Sequence, residues 1–590
     1  MSDNASSSSP PQASIEPRNT LAVSISGSGG TGAVTVGLIL LDAVAKAGFY
    51  GVMNRSFGPQ IRGGESAVML HFSDRPIETL AEYSHLHLAL DWLKFERFHD
   101  EIPLTSDSLV IYDNSREKPP GLVENTGATL IGVALQEAVR NLKGSRINMF
   151  ALGILAQQIG LSLDTVEAAL RKTLGKKGDE VVQQSLEAVK IGTTLVAETP
   201  YCRLPDWTPT DTPRWNISGN EACGLGALRG GLKLAAAYPI TPATDIVEYL
   251  APRIEQLGGN VLIAEDELAA MNMVIGGSFG GLPSMTATSG PGFALMTEAM
   301  GLAIASETPA LVVTVMRGGP STGIPTKSEQ TDLNQVLYAF HGEAPHVVVA
   351  PLNVQEMVPI SQWSLGLAEA LQTLVVEVTD QHLGQCRAII DPVPPQDFGL
   401  QRKTATPQEG AYRRYQLTED AISPIAWPGM PDTQYTADGL EHTEVGVPSS
   451  MASDHSEQLA KRARKIAEFD YGDRWASLDL PPKTKTVVIT WGSSYEAVRV
   501  AVDNLNADGA NIGLLALRLL MPLQTDALQK HLKGKQVIVI EQNASGQLYH
   551  YLLSQSAIPV KAVSIAEAGP ILFNPARVEH HLTACLENSQ

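Results

Sequence analysis

The segment TVMRGGPSTGIPTKSEQTD (314–332) carries an apolar run, ALVVTVM, into an arginine and then into glycines, hydroxyls and a lysine. Arg317, Thr322, Thr326 and Lys327 fall between 317 and 327 in chain too rich in glycine and proline to be helical. A planar guanidinium with hydroxyl donors nearby is chemistry for holding an anion. Three other segments stand where a strand-like run hands over to a helix or loop. LAAAYPITPATDIVEYL brings Tyr238, Thr241 and Thr244 around two prolines. VLIAEDELAAMNMVIGGSFGG sets Glu265, Asp266 and Glu267 ahead of a small-residue helix. Acids there suit a helix N-terminus or general acid–base work. TATSGPGFALMTEAMGLAI puts Ser289, Gly290 and Gly292 in a turn before a helix. Open α/β sheets bind ligands at such strand ends.

A fifth segment, SISGSGGTGAVTVGLILLDAVAKAG, places Gly27, Gly29, Gly30 and Gly32 between a strand and an apolar helix. Glycines let backbone N–H groups approach a phosphate, and the helix start adds a positive dipole end. A dinucleotide site needs an acid about 20 residues on to hold the ribose. The chain there reads GVMNRSFGPQIRGGES, with Arg55, Arg62 and no acid before Glu65. The loop is therefore suited to a phosphate-rich ligand other than NAD. An NADP-linked dehydrogenase, with Arg55 on the 2′-phosphate, accounts for this loop and leaves the other four segments without a role.

The elements that must position these residues are strands alternating with helices along most of the 590-residue chain. That pattern predicts a multidomain α/β protein with parallel open sheets. The boundaries expected are a tail at 1–18, units at 19–198 and 219–395 joined by a proline-rich linker at 199–218, a polar excursion at 396–480 and a last unit at 481–590. A net charge of −20 argues against nucleic acid and anionic membrane surfaces as partners. No run approaches the ~18 apolar residues of a membrane span, and the N-terminus lacks a signal-peptide core. These features predict a cytoplasmic protein. Cys202, Cys223, Cys386 and Cys585 form no CxxC pair, so no metal or iron–sulfur site is expected within the chain.

Taken in order, a glutamate leading a small-residue helix followed by TSGPG resembles the pyrimidine-binding domain of thiamine diphosphate enzymes. GNEACGLGAL, YPITP and RGGPSTGIPTKSEQTD narrow the resemblance to the 2-oxoacid:ferredoxin oxidoreductases. The chain is most similar to the α subunit with a fused N-terminal γ domain, as in 2-oxoglutarate:ferredoxin oxidoreductase. GSGGTG with NRSFGPQIRGGES resembles the γ domain; YRRYQLTEDAISP and TWGSSYEA with EQNASGQL resemble the rest of α, ending in a transketolase C-terminal-like domain. The resemblance implies that Glu267 contacts N1′ of the thiamine aminopyrimidine, with Glu265 and Asp266 as competitors, and that Ser289, Gly290 and Gly292 line the cofactor. It implies that Arg317 and Thr241, beside Tyr238, hold the oxoacid C1 carboxylate and that Thr326 or Lys327 reads a distal one. The GSGGTG glycines with Arg55 and Arg62 then serve coenzyme A. The chain contains no GDG motif. The diphosphate, its Mg2+ and a [4Fe–4S] cluster are accordingly expected on a separate β subunit, with ferredoxin as electron acceptor and an (αβ)2 assembly. Pyruvate or a branched-chain 2-oxoacid is the alternative substrate, and a non-catalytic partner subunit the remaining alternative.

Overall fold

A computed structural model describes residues 20–58, 64–77, 79–199, 202, 204, 213–406 and 411–587. Arg62, the expected tail at 1–18 and most of the expected 199–218 linker lie outside the described residues. The chain divides into two compact units, one of residues 1–216 with 388–391, the other of 217–387 with 392–590.

In the first unit the sheet runs, in spatial order, Thr129–Val133, Leu109–Asp113, Leu86–Ala89, Thr20–Gly27, Ser66–Ser73 and Tyr50–Phe57, extended by Arg387–Ile390. Thr20–Gly27 pairs in parallel with Leu86–Ala89, but Ser66–Ser73 runs antiparallel to both of its neighbours. This sheet is therefore mixed, with an antiparallel strand set into otherwise parallel neighbours. The chain between Phe57 and Ser66 is shorter than the dozen or so residues a parallel crossover needs, so a hairpin forms. The helix Ala33–Lys46 covers the sheet with Val36, Ile39, Leu40 and Val44. Ile147–Ile159 packs on Asp179–Thr194 backbone to backbone: a Cβ on Gly153 would lie 2.0 Å from the Val189 carbonyl oxygen.

The second unit contains a sheet ordered Leu519–Met521, Val347–Val349, Leu374–Asp380, Ala310–Met316, Ser284–Thr288, Leu234–Ala237 and Asn260–Ile263. All pairs are parallel except the one made by Leu519–Met521. A five-stranded sheet follows, ordered Ala476–Asp479, Ile512–Leu517, Thr486–Trp491, Gln536–Glu541 and Val563–Ala566. The central strands Ser284–Thr288, Ala310–Met316 and Leu374–Asp380 are buried along their whole length, as strands of a parallel sheet covered on both faces are. The 396–480 excursion belongs to this unit. It contains a helix, Ala452–Ala467, whose buried side is Gln458, Lys461, Arg462, Lys465 and Ile466. Lys461 Nζ and Lys465 Nζ donate to the two oxygens of the fully buried Glu307, at 2.7 and 2.8 Å. These cations hold the Glu307 carboxylate well below the usual range against the opposing effect of burial. No helix among the described residues is long and apolar enough to cross a membrane.

Candidate active site

Four strands of the seven-stranded sheet, adjacent and parallel, deliver four of the segments named above to one edge. Asn260–Ile263 leads to Glu267, Leu234–Ala237 to Tyr238 and Thr241, Ser284–Thr288 to Ser289 and Ala310–Met316 to Arg317. Parallel strands end on the same side, so these residues converge for a topological reason.

Glu267 is the first residue of the helix Glu267–Phe279 and is buried, whereas Glu265 and Asp266 are exposed. Asp266 caps that helix, its carboxylate accepting from Ala269 N at 2.7 Å. The three neighbouring acids thus stand in three different surroundings. The Glu267 carboxyl lies against the Ser289–Gly292 turn: a Cβ on Gly292 would fall 2.7 Å from Oε1 and 2.2 Å from Thr288 Oγ1. Only glycine admits that approach. Ser289 is fully buried and its Oγ has no hydrogen-bond partner among the described residues. A buried hydroxyl without a partner is costly unless a ligand completes it.

Arg317 is buried, and its Nη1 donates to the Thr241 carbonyl at 2.5 Å. Its Nε is buried without a hydrogen-bond partner among the described residues. The YPITP turn is held in turn by Asn220, whose Nδ2 donates to the Pro242 carbonyl at 2.8 Å. Beyond Arg317 the chain folds back on itself. Gly318 N donates to the Lys327 carbonyl at 3.1 Å and Ile324 N to the Gly318 carbonyl at 2.8 Å. Thr326, buried, and Lys327, half-buried, therefore return to the start of the loop, while Ser321 to Ile324 form its exposed tip. Tyr238 is 42% exposed at the rim.

The loop is locked onto the five-stranded sheet by a buried amide that sequence reasoning did not single out. Gln330 donates through Nε2 to the Trp491 carbonyl at 3.0 Å, and its Oε1 accepts from Ser494 Oγ and Gln542 N. Gln547 likewise accepts from Asn334 N and donates to the Thr331 carbonyl, each at 2.8 Å. Asp332 was also missed. Its carboxyl lies against Gly290, where a Cβ would fall 2.5 Å from Oδ2. The acid in SEQTD was visible; that the loop returns it to the TSGPG turn was not.

In the first unit, Gly30 and Gly32 take positive φ, 92° and 81°, which glycine alone adopts without strain. Gly32 precedes the helix Ala33–Lys46. The Ser28 amide is already committed to Asp91, at 3.0 Å from both carboxylate oxygens. A cavity of about 630 Å³ opens over the rest of the loop, lined by Gly29, Gly30, Thr31, Gly32, Arg146 and Asn148 among others. Asn148 is buried and its Oδ1 has no partner among the described residues. Arg55 stands two residues before Phe57, a cavity-lining residue on the same strand, so the two share a face of the sheet. Arg146 and Asn148 were not anticipated, although a lone asparagine in the otherwise apolar run INMFALGILA was a readable signal.

Similarity to known proteins agrees with this arrangement. Residues 225–461 match the family described as pyruvate flavodoxin/ferredoxin oxidoreductase, thiamine diphosphate-binding. Residues 22–195 match pyruvate ferredoxin/flavodoxin oxidoreductase and 484–566 match pyruvate:ferredoxin oxidoreductase core domain II. The 2-oxoglutarate synthase subunit KorA of Methanocaldococcus jannaschii is 33% identical, over 62% of this chain and 97% of its own length. The chain belongs to the 2-oxoacid:ferredoxin oxidoreductase family. It is an oxidoreductase. The 2-oxoacid:ferredoxin oxidoreductase subunit alpha of Saccharolobus solfataricus is 29% identical over 92% of this chain and 96% of its own. A solved structure of 2-oxoglutarate:ferredoxin oxidoreductase from Magnetococcus marinus, with 2-oxoglutarate, coenzyme A and succinyl-CoA bound, superposes with a TM-score of 0.89. It is 32% identical and covers 96% of this chain and 100% of that one. Family membership fixes the type of enzyme and the mixed, parallel-rich α/β fold.

Proposed function

We propose that this chain is the α subunit, with a fused γ domain, of an enzyme that converts 2-oxoglutarate, coenzyme A and oxidised ferredoxin to succinyl-CoA, CO2 and reduced ferredoxin. The observation that carries the reading is the convergence of Glu267, Ser289, Thr241 and Arg317 on one edge of the parallel sheet. The choice of 2-oxoglutarate is supported by the KorA relatives and by the ligands in the Magnetococcus structure.

The residues present fit half of a thiamine diphosphate site. Glu267 would hold the aminopyrimidine through N1′, and its buried carboxyl is the group placed to move a proton there. Gly290 and Gly292 let the Asp332 and Glu267 carboxyls close on the turn that would line the ring, and the Ser289 hydroxyl, unpartnered among the described residues, offers a further contact. Thiamine diphosphate, when bound, supplies the nucleophilic carbon and electron sink for decarboxylation. Arg317 would grip the C1 carboxylate with the nitrogens that its Thr241 bond leaves unengaged. Thr326 or Lys327, returned beside it, would meet a distal carboxylate. In the first unit, the GSGGTG loop with Arg55 and Arg62 would take the phosphates of coenzyme A, joined by Arg146 and Asn148.

A β subunit carrying the diphosphate, Mg2+ and [4Fe–4S] sites would complete the enzyme. An apolar rim beside Glu267 supports such a partner: Tyr238, Ile263, Leu268 and Leu295 are 42, 62, 48 and 54% exposed. Ferredoxin would collect the electrons, in the cytoplasm. The test is coenzyme A-dependent reduction of a viologen dye by the complex purified with its native partners, comparing 2-oxoglutarate, pyruvate and branched 2-oxoacids. Activity is expected with 2-oxoglutarate and none from the isolated chain. A clear preference for pyruvate would overturn the substrate, and no oxoacid-dependent reduction would overturn the function.

A further inference from the structure

Asp332 is a half-buried carboxyl beside this site. It ends the loop that begins at Arg317, and its side chain lies against Gly290, on the turn whose Gly292 abuts Glu267. Arg317 approaches from the adjacent strand end. Its Nη1 is bonded to the Thr241 carbonyl, its Nε is buried and unpartnered among the described residues, and no ion pair joins it to Asp332. The two opposite charges therefore influence one another across a gap without closing on each other. The charged groups facing Asp332 are Arg317 and, from its own loop, Glu329. The helix Gly290–Ala305 presents only its backbone start, and Gln547–Ser554 presents Gln547, engaged with the loop backbone. Burial, reinforced by Glu329, lifts the Asp332 carboxyl to about 6 against the opposing pull of the neighbouring Thr331 hydroxyl and of Arg317.

We propose that Asp332 is a proton-coupled positioning residue of the oxoacid site. Ionised, it balances Arg317 in the free enzyme; it takes a proton from solvent when the C1 carboxylate of a 2-oxoacid settles on that guanidinium. The inference rests on the assignment of Arg317 to that carboxylate. Two carboxylates beside one buried guanidinium repel, and the group already close to neutrality at pH 7 is the one that protonates. Binding of the oxoacid raises the affinity of Asp332 for its proton, so by linkage protonation tightens oxoacid binding. Below about pH 6 the free site already holds the proton and affinity is level. Above it, each bound oxoacid must draw a proton from solvent, and affinity falls.

The test is the pH dependence of KM for 2-oxoglutarate in the complex with its native partner subunits. For the wild type, KM is expected to be level below about pH 6 and to rise above it by up to about tenfold per pH unit, with kcat not following that curve. Asp332→Asn, neutral at every pH, should remove the rise and bring KM at about pH 8 to or below the wild-type value. Asp332→Glu should restore a rise. A wild-type KM level across the range, or a rise that persists in Asp332→Asn, overturns the proposal. Should Asp332→Asn fail to assemble, proton uptake on binding glutarate, which lacks the reactive ketone, decides with the wild type alone. Uptake near pH 7 supports the proposal and its absence overturns it. A complex that prefers pyruvate contradicts the substrate reading and leaves this test intact, because the C1 carboxylate is common to both substrates.

Discussion

At the scale of single residues, the arginine that opens the 317–332 loop is committed on one side and available on the other. Nη1 serves the Thr241 carbonyl and fixes the guanidinium, while Nε is buried without a hydrogen-bond partner among the described residues. Loss of a hydrogen bond to a charged group costs ~1.5–3 kcal/mol, about ten- to 150-fold in a binding constant. Arg317→Ala is therefore expected to raise KM by that factor for every 2-oxoacid, since all share the C1 carboxylate. Thr326→Ala and Lys327→Ala should impair 2-oxoglutarate much more than pyruvate, which has nothing at its distal end. Steady-state comparison of both substrates in each variant is internally controlled. Equal losses would mean that the loop shapes the site without reading the substrate. The strand-to-turn pattern pointed to Arg317, Ser289 and the three acids at 265–267, and the family resemblance narrowed the acids to Glu267. Neither singled out Asp332 or Gln330, whose surroundings come from a loop that folds back and a sheet far along the chain.

At the scale of elements, the strand Leu374–Asp380 carries a fully buried carboxyl, Glu377, between two helices. Ser361 Oγ on Val354–Leu371 donates to Glu377 Oε1 at 2.6 Å, and Cys223 on Gly219–Arg229 lies against it. Its Oε2 has no hydrogen-bond partner among the described residues. Burial outweighs the Ser361 hydrogen bond and the nearby Ser364 and Cys223 side chains and lifts the group to about 7. The sign follows from which state holds the proton. Between an unfolded value of ~4.3 and about 7 in the fold, the native chain keeps a proton that the unfolded chain has lost. The stability from this group is thus fully present below the unfolded value and lost as pH rises through that window, by about 1.4 kcal/mol per unit. Glu377→Gln, neutral throughout, should gain thermal midpoint over the wild type from about pH 4.5 to about pH 7 and keep the gain above. An unchanged difference between the two across that range would contradict the assignment.

The helices and strands that were readable in advance are those with one apolar periodicity. The runs expected near 486–490, 512–516 and 537–541 are the strands Thr486–Trp491, Ile512–Leu517 and Gln536–Glu541. The helix Ala452–Ala467 was not readable, because its inward face is built of lysines, an arginine and a glutamine around Glu307 rather than of leucines. Nor was the antiparallel strand Ser66–Ser73 distinguished from a parallel one; strand chemistry is the same, and only the short connection from Phe57 decides.

At the scale of the whole molecule, the GSGGTG loop with its cavity and the cluster of Glu267, Ser289 and Arg317 lie in different compact units, and the proposed function gives each its own ligand. Arg146→Ala, and Arg55→Ala combined with Arg62→Ala, should each raise the coenzyme A requirement while leaving KM for the oxoacid unchanged. Initial rates with each substrate varied in turn would show this, and a matching rise in oxoacid KM would mean general damage. In the proposed function, the edge of the seven-stranded sheet around Glu267 is half of a 2-oxoacid-oxidising site. The most direct test of that reading is 2-oxoglutarate- and coenzyme A-dependent viologen reduction by the reconstituted complex, wild type against Glu267→Gln. The substitution keeps the volume of the side chain and removes its acid–base function, so turnover should fall by ~10²–10⁴-fold with assembly and thermal midpoint preserved. Turnover near the wild-type value in a fully assembled Glu267→Gln complex would contradict the account.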